Sequence, residues 1–262
     1  MIWQNVFRSS EGCVFWQGEQ AQNNQDFADF LQGTVAARLN DDEGSQNLIE
    51  YLQGLKNLTG MGQQALEEVL AAEVPETRDW AAGEALAEAV LEAEHNVVLP
   101  WNTERDKRNP FASLPGADII GFQLDGDSYR LVFGEVKCSS DTNSPPNVMY
   151  GRSGMVHQLD RLAHDLSTIL QLFKWLLPRV KGTEYEAAFN IACTRYLNSG
   201  HLDLVLFGIL VRDQQPRESD LEVRGRHLAS RLTGPTNCYL IALYLPLPIN
   251  QLPHAIGQEG AI

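Results

Sequence analysis

The residues of this 262-residue chain that could do chemistry together lie close in sequence. Gly134-Glu135-Val136-Lys137 places a carboxylate and a cation two positions apart, and Asp118 precedes them in another apolar run. Side chains alternate along a strand, so Glu135 and Lys137 share a face with Tyr129, Leu131 and Phe133. Asp118 likewise shares one with Ile120, Phe122 and Leu124. Between the runs, Asp125-Gly126-Asp127-Ser128 has the composition of a hairpin turn. A symmetric two-residue turn at Gly126-Asp127 pairs Leu124 with Tyr129, Phe122 with Leu131 and Ile120 with Phe133, and so predicts Asp118 opposite Glu135. Opposed side chains hold their Cβ atoms about 5 Å apart. Two carboxylates at that distance repel unless one is protonated or a cation lies between them. A hard divalent ion held by carboxylate oxygens resolves the conflict. Lys137 beside it could orient or help deprotonate an attacking water, or offset charge on a pentacovalent phosphate. The plain alternative is a surface Glu-x-Lys ion pair with no chemical role.

These residues need a sheet to hold them. A helix is expected over 79–94, capped by Thr77 or Asp79, with Trp80, Leu86, Ala87, Val90 and Leu91 on its apolar face. Glu84 borders that face, and Glu88 and Glu92 follow it at i+4 steps. A short strand at 96–101, a polar loop at 102–115 and the two hairpin strands come next. A Ser/Asn/Pro loop (139–147) leads into one long helix, 154–177, that Pro178 stops. Strands are expected at 187–196, 202–211 and 238–245, with a helix near 219–232. The order predicts an α/β fold, a mixed sheet flanked by helices. Upstream, residues 1–20 suggest a short hairpin and 24–73 read as helices closed by Pro75. The expected division is a mostly helical N-terminal region, 1–75, and a domain over 76–262 that carries the site.

With these residues in view, 78–140 resemble the PD-(D/E)XK nuclease superfamily. Leu114-Pro115-Gly116-Ala117-Asp118 supplies the Asp, Gly134-Glu135-Val136-Lys137 the ExK element, and Trp80-Ala81-Ala82-Gly83-Glu84 the helix Glu. Asp118 stands three residues after Pro115 instead of beside it, a looseness common in this family. The resemblance extends over about 78–245. It implies Mg²⁺ (Mn²⁺ as a substitute) held by Asp118, Glu135 and Glu84, a water assisted by Lys137, and hydrolysis of DNA phosphodiester bonds. More narrowly, the helical N-terminal part, the Gly-Glu helix and the Arg/Asn-rich loop resemble the HamA-type nuclease subunit of Hachiman antiphage defence systems. That likeness implies a helicase/ATPase partner of the HamB type. Two other readings stay open: a stand-alone restriction-type endonuclease, and a catalytically silent scaffold of the same fold that binds a partner protein.

Arg105, Lys107 and Arg108, in the loop before Asp118, are candidate contacts to DNA phosphates. So are Gln158 and Arg161 near the start of the long helix, where glutamines often orient water or phosphate in related nucleases. His157 and His164 read as structural or surface residues. Arg212, Arg217, Arg224, Arg226 and Arg231 form a second basic cluster, suited to a DNA track or a partner surface. The formal charge of −14 argues against a general polyanion binder. It is unevenly spread: residues 1–100 hold 4 Lys/Arg against 17 Asp/Glu, and residues 101–262 hold 16 against 17. An acidic, partner-docking or simply solvated N-terminal part follows from this. No apolar stretch of 18 residues and no signal-peptide pattern appear, so a cytoplasmic protein away from membranes is expected. The four cysteines form no CxxC pair, which speaks for reduced thiols over a zinc site.

Overall fold

The computed structural model describes residues 1–55, 59–70, 79–102 and 116–257. In chain order the elements are β1 (Trp3–Glu11), β2 (Val14–Ala21), α1 (Gln25–Phe30), α2 (Ala36–Leu39), α3 (Asp42–Gln53), α4 (Gly60–Leu70) and α5 (Asp79–Glu94). Then follow β3 (Val97–Val98), β4 (Ile119–Asp125), β5 (Ser128–Ser139), α6 (Met155–His164), α7 (Leu166–Val180), α8 (Glu186–Asn198), β6 (Leu204–Arg212), α9 (Glu222–Ala229), β7 (Asn237–Tyr244) and α10 (Leu252–Ala255). A π-helical turn, Leu31–Val35, joins α1 to α2.

The strands form one seven-stranded mixed sheet in the order β1-β2-β7-β6-β5-β4-β3. β2, β7, β6 and β5 run parallel, and the pairs at either end are antiparallel. Parallel strands covered on both faces need apolar residues at consecutive positions, and every residue of β6, Leu204-Val-Leu-Phe-Gly-Ile-Leu-Val-Arg212, is buried. Leu131, Phe133, Leu206 and Leu240 pack on one face against Leu159 and Leu162 of α6, Leu172 of α7 and Leu228 of α9. Val132, Val136, Phe207 and Ile241 pack on the other against Leu86 and Val90 of α5 and Leu31 and Val35 at the π turn.

Three expectations are corrected. Residues 187–196 are not a strand; they lie in α8, whose buried Ala188, Phe189, Ala192 and Tyr196 follow a helical spacing. The long helix is two helices, broken at Asp165. The Asp165 carboxylate accepts from Ser167 N at 2.9 Å and Thr168 Oγ1 at 2.8 Å, and so caps α7. The Ser167 hydroxyl, donating at 2.6 Å, together with those bonds holds the Asp165 carboxyl down at about 2. Nor does Pro178 stop the helix: α7 continues to Val180, because a proline in the last turn forgoes a single backbone bond. β1 and β2 form the expected hairpin, but β2 pairs in parallel with β7, so the first 21 residues belong to the same sheet as the site. Leu48, Tyr51, Met61 and Val69 of α3 and α4 are exposed.

Candidate active site

The hairpin has the expected register: Leu124 pairs with Tyr129, Phe122 with Leu131 and Ile120 with Phe133. The ladder ends at Ile119 and Gly134. One residue further, Asp118 N donates to Gly134 O at 3.0 Å, and the Asp118 carboxylate accepts from Val136 N at 2.8 Å. Asp118 thereby takes up the first β5 amide left without a strand partner, which anchors it at the mouth of the hairpin. Glu135 lies beside it and is only 6% exposed, and Lys137 Nζ donates to Glu135 Oε1 at 2.5 Å. Behind them, Ile120, Phe122, Leu131 and Phe133 form a buried apolar floor.

This environment has an electrostatic signature. Burial, followed by the charge of Asp118, raises the Glu135 carboxyl from 4.5 to about 7, although Lys137 pulls it back. Burial alone would lower Lys137, but Glu135, then Asp118 and Glu84, outweigh it and hold the amine above its ordinary value. Lys137 is therefore an ammonium ion at neutral pH.

Glu84 comes from α5, on the opposite face of the sheet. A Cβ on Gly83 would stand 2.2 Å from Cys138 Sγ, so the glycine lets α5 approach the end of β5. Gly83→Ala should gain roughly 1 kcal/mol in helix propensity and lose about 1–3 kcal/mol to overpacking, a net destabilisation. In a Cys138→Ala background the clash is gone and the same change should stabilise. Urea denaturation of the four proteins measures this coupling. On the same helix Glu88 and Glu92 are engaged elsewhere, by Arg38 at 2.7 and 3.3 Å.

On the other face, α6 crosses β6 closely. Gly208 pairs with Glu135, and a Cβ there would meet Met155 Sδ and Leu159 Cδ1 at 2.9 Å. Gln158 donates to Arg152 O, ahead of α6, at 3.3 Å, and Arg161 donates to Gln158 Oε1 at 3.2 Å and, across the joint with α7, to Thr168 Oγ1 at 3.1 Å. Arg105, Lys107 and Arg108 lie outside the described residues. The second basic cluster is dispersed. Arg231 pairs with Asp160 at 2.7 Å, Arg226 with Glu11 at 2.7 Å, and Arg224 lies 3.9 Å over the Tyr150 ring. Arg212 is 1% exposed and faces Asp220 at 3.4 Å.

That buried pair was not visible in the sequence, yet it supports the site. Asp220 accepts from Tyr244 OH at 2.9 Å and from Ser144 Oγ at 2.5 Å, and Arg212 donates to Asn143 O at 3.3 Å. These bonds tie the loop that leaves β5 to the carboxyl ends of β6 and β7. The one signal in the sequence was an arginine closing an apolar strand.

Among the described residues, no group of three or more His, Cys, Asp or Glu side chains stands ready to hold a metal ion. Asp118 and Glu135 bring two carboxylates together at the mouth of the hairpin, and the charge of Glu84 acts on Lys137. Two hard oxygen donors fit Mg²⁺, which keeps several waters and is commonly held by one or two carboxylates with substrate phosphate. No family model and no curated protein matches the chain.

Proposed function

We propose that this chain is a metal-dependent nuclease that hydrolyses DNA phosphodiester bonds, with Asp118 and Glu135 as metal ligands and Lys137 as the cation beside them. The observation that carries this reading is the buried Glu135 beside the half-buried Asp118 at the mouth of the hairpin, with Lys137 bonded to Glu135. Such a pair is costly to hold without a cation, and a purely structural hairpin has no use for it. Bound there, a divalent ion would polarise a phosphate and lower the pKa of its water. Lys137, held as an ammonium, suits charge stabilisation at the phosphate better than proton abstraction. Glu84 helps to keep it charged. The resemblance to PD-(D/E)XK nucleases supports the same roles.

The acidic residues 1–100 and the exposed apolar side chains of α3 and α4 support a protein partner, in this reading a helicase/ATPase subunit of a defence complex, that delivers DNA. Nanomolar DNA affinity of the lone chain at physiological salt would count against that part.

Metal binding tests the site. A Glu135 carboxyl near 7 in the folded state, against 4.5 when unfolded, stabilises the metal-free protein below about pH 4.5. That stabilisation, at most about 3 kcal/mol, is lost as pH rises to 7. A metal must displace the Glu135 proton, so Mg²⁺ or Mn²⁺ should raise the melting temperature more at pH 8 than at pH 6. The shift should disappear in Asp118→Ala. An equal shift in that variant would mean the ion binds elsewhere and would favour the scaffold reading.

A further inference from the structure

The arginines at 212–231, a basic cluster in the sequence, are not equivalent in the fold. Arg212 is buried beside Asp220, Arg226 pairs with Glu222 and Glu11, and Arg231 pairs with Asp160. Arg217 is held through its backbone, which bonds Tyr244 OH. Arg224, on α9, is placed through its side chain but has no carboxylate. Its guanidinium lies 3.9 Å over the Tyr150 ring, and its Nε has no hydrogen-bond partner among the described residues. Tyr150 is 40% exposed, so the stack stands at the surface. Stacking on a ring fixes the plane of a guanidinium and leaves N–H groups in that plane to donate. Arg152, two residues after Tyr150, is exposed, and its side chain forms no ion pair among the described residues.

A tight turn holds Tyr150 and Arg152 at the start of α6. Gly154 N donates to Gly151 O at 3.1 Å, and a Cβ on Gly154 would overlap the Tyr150 backbone. Met149 and Met155, one on each side of the turn, are buried in the core that Leu131 and Phe133 of β5 share. Glu135 and Lys137 continue that face of β5 by alternation. Met155 also lies over Gly208, the β6 partner of Glu135. The two unpaired arginines therefore stand on the face of the sheet that carries the candidate active site. We infer that Arg152 and Arg224 bind phosphates of the DNA backbone beside the cleavage site, with Tyr150 as the platform that orients Arg224. An arginine meets a phosphate with two parallel charge-assisted bonds, and Arg226 and Arg231 would have to give up a carboxylate to do so. The inference takes its substrate from the nuclease reading, and contacts of this kind position DNA without reading its bases.

Fluorescence anisotropy of a labelled DNA duplex, titrated with the full chain in EDTA, tests this apart from cleavage. At about 50 mM salt the wild-type chain should bind saturably, and Arg152→Ala and Arg224→Ala should each weaken binding by roughly tenfold. Each should also lower the slope of log affinity against log salt by about one. Arg226→Ala and Arg231→Ala remove the same charge from ion pairs, and should change the affinity by no more than about twofold. Equal losses in all four variants would overturn the inference, because net charge alone would then set the affinity. Unchanged affinity in both Arg152→Ala and Arg224→Ala, or no saturable binding by the wild-type chain, would overturn it too. Cutting of the same duplex in Mg²⁺ reads the nuclease separately: selective losses of binding without any cutting would keep the phosphate contact and remove the catalytic reading.

Discussion

Lys137→Met is expected to lower metal-dependent DNA cleavage by about two orders of magnitude or more. The side chain lies against Glu135 at 2.5 Å and is kept charged by Glu135, Asp118 and Glu84, and in the proposed reaction it would offset the charge on the phosphate. The substitution also removes the cation that lowers Glu135, so that carboxyl rises further and metal binding weakens at neutral pH. The two effects separate by pH. As pH is raised Glu135 ionises progressively and metal-induced stabilisation should return, while cleavage should stay low. Recovery of both together would show that Lys137 acts only by keeping Glu135 ionised.

The second large effect concerns the frame. Arg130, on β5, is 8% exposed. Its guanidinium donates to Asp203 Oδ1 at 2.6 Å, Asn237 Oδ1 at 2.6 Å, Leu204 O at 3.1 Å and Pro235 O at 2.5 Å. One side chain thereby joins the starts of β5, β6 and β7, at the end of the sheet away from Glu135. Removing one partner of a buried ion pair leaves the other charge stranded, which costs about 3–5 kcal/mol. Arg130→Ala should lower the unfolding free energy by that amount, read as a lower urea midpoint at unchanged slope. Arg195, 2.9 Å from the second Asp203 oxygen, gives that carboxylate one remaining cation and favours the lower end of the range. A loss under about 1 kcal/mol would mean that water readily replaces the guanidinium.

The hairpin was legible because its information is local. A two-residue turn determines the pairing, and alternation determines which side chains share a face. Asp118, Glu135 and Lys137 could therefore be brought together from their positions alone. The strand expected at 187–196 failed because Ala, Ile, Cys and Thr beside Phe and Tyr suit a buried strand as well as a helix packed on one side; Phe189, Ala192 and Tyr196 carried the helical spacing. The break at Asp165 was present as a carboxylate followed by Ser167 and Thr168, a cap hidden inside continuous apolar periodicity. The pairing of β2 with β7 joins residues more than 200 positions apart, and nothing local encodes it. Glu84 could be preferred to Glu88 and Glu92 only as a choice among equivalents. The fold separates them, because Arg38 engages the other two and Gly83 brings α5 against Cys138.

Plasmid cleavage by the purified chain in Mg²⁺, beside a folded Glu135→Gln variant, tests the central claim most directly. Glutamine keeps the shape of the side chain but removes the charge that opposes Asp118. The account predicts cutting by the wild-type chain, alone or with its co-purified partner, that EDTA abolishes and Glu135→Gln reduces by about three orders of magnitude. Cutting at the wild-type rate by Glu135→Gln would contradict it.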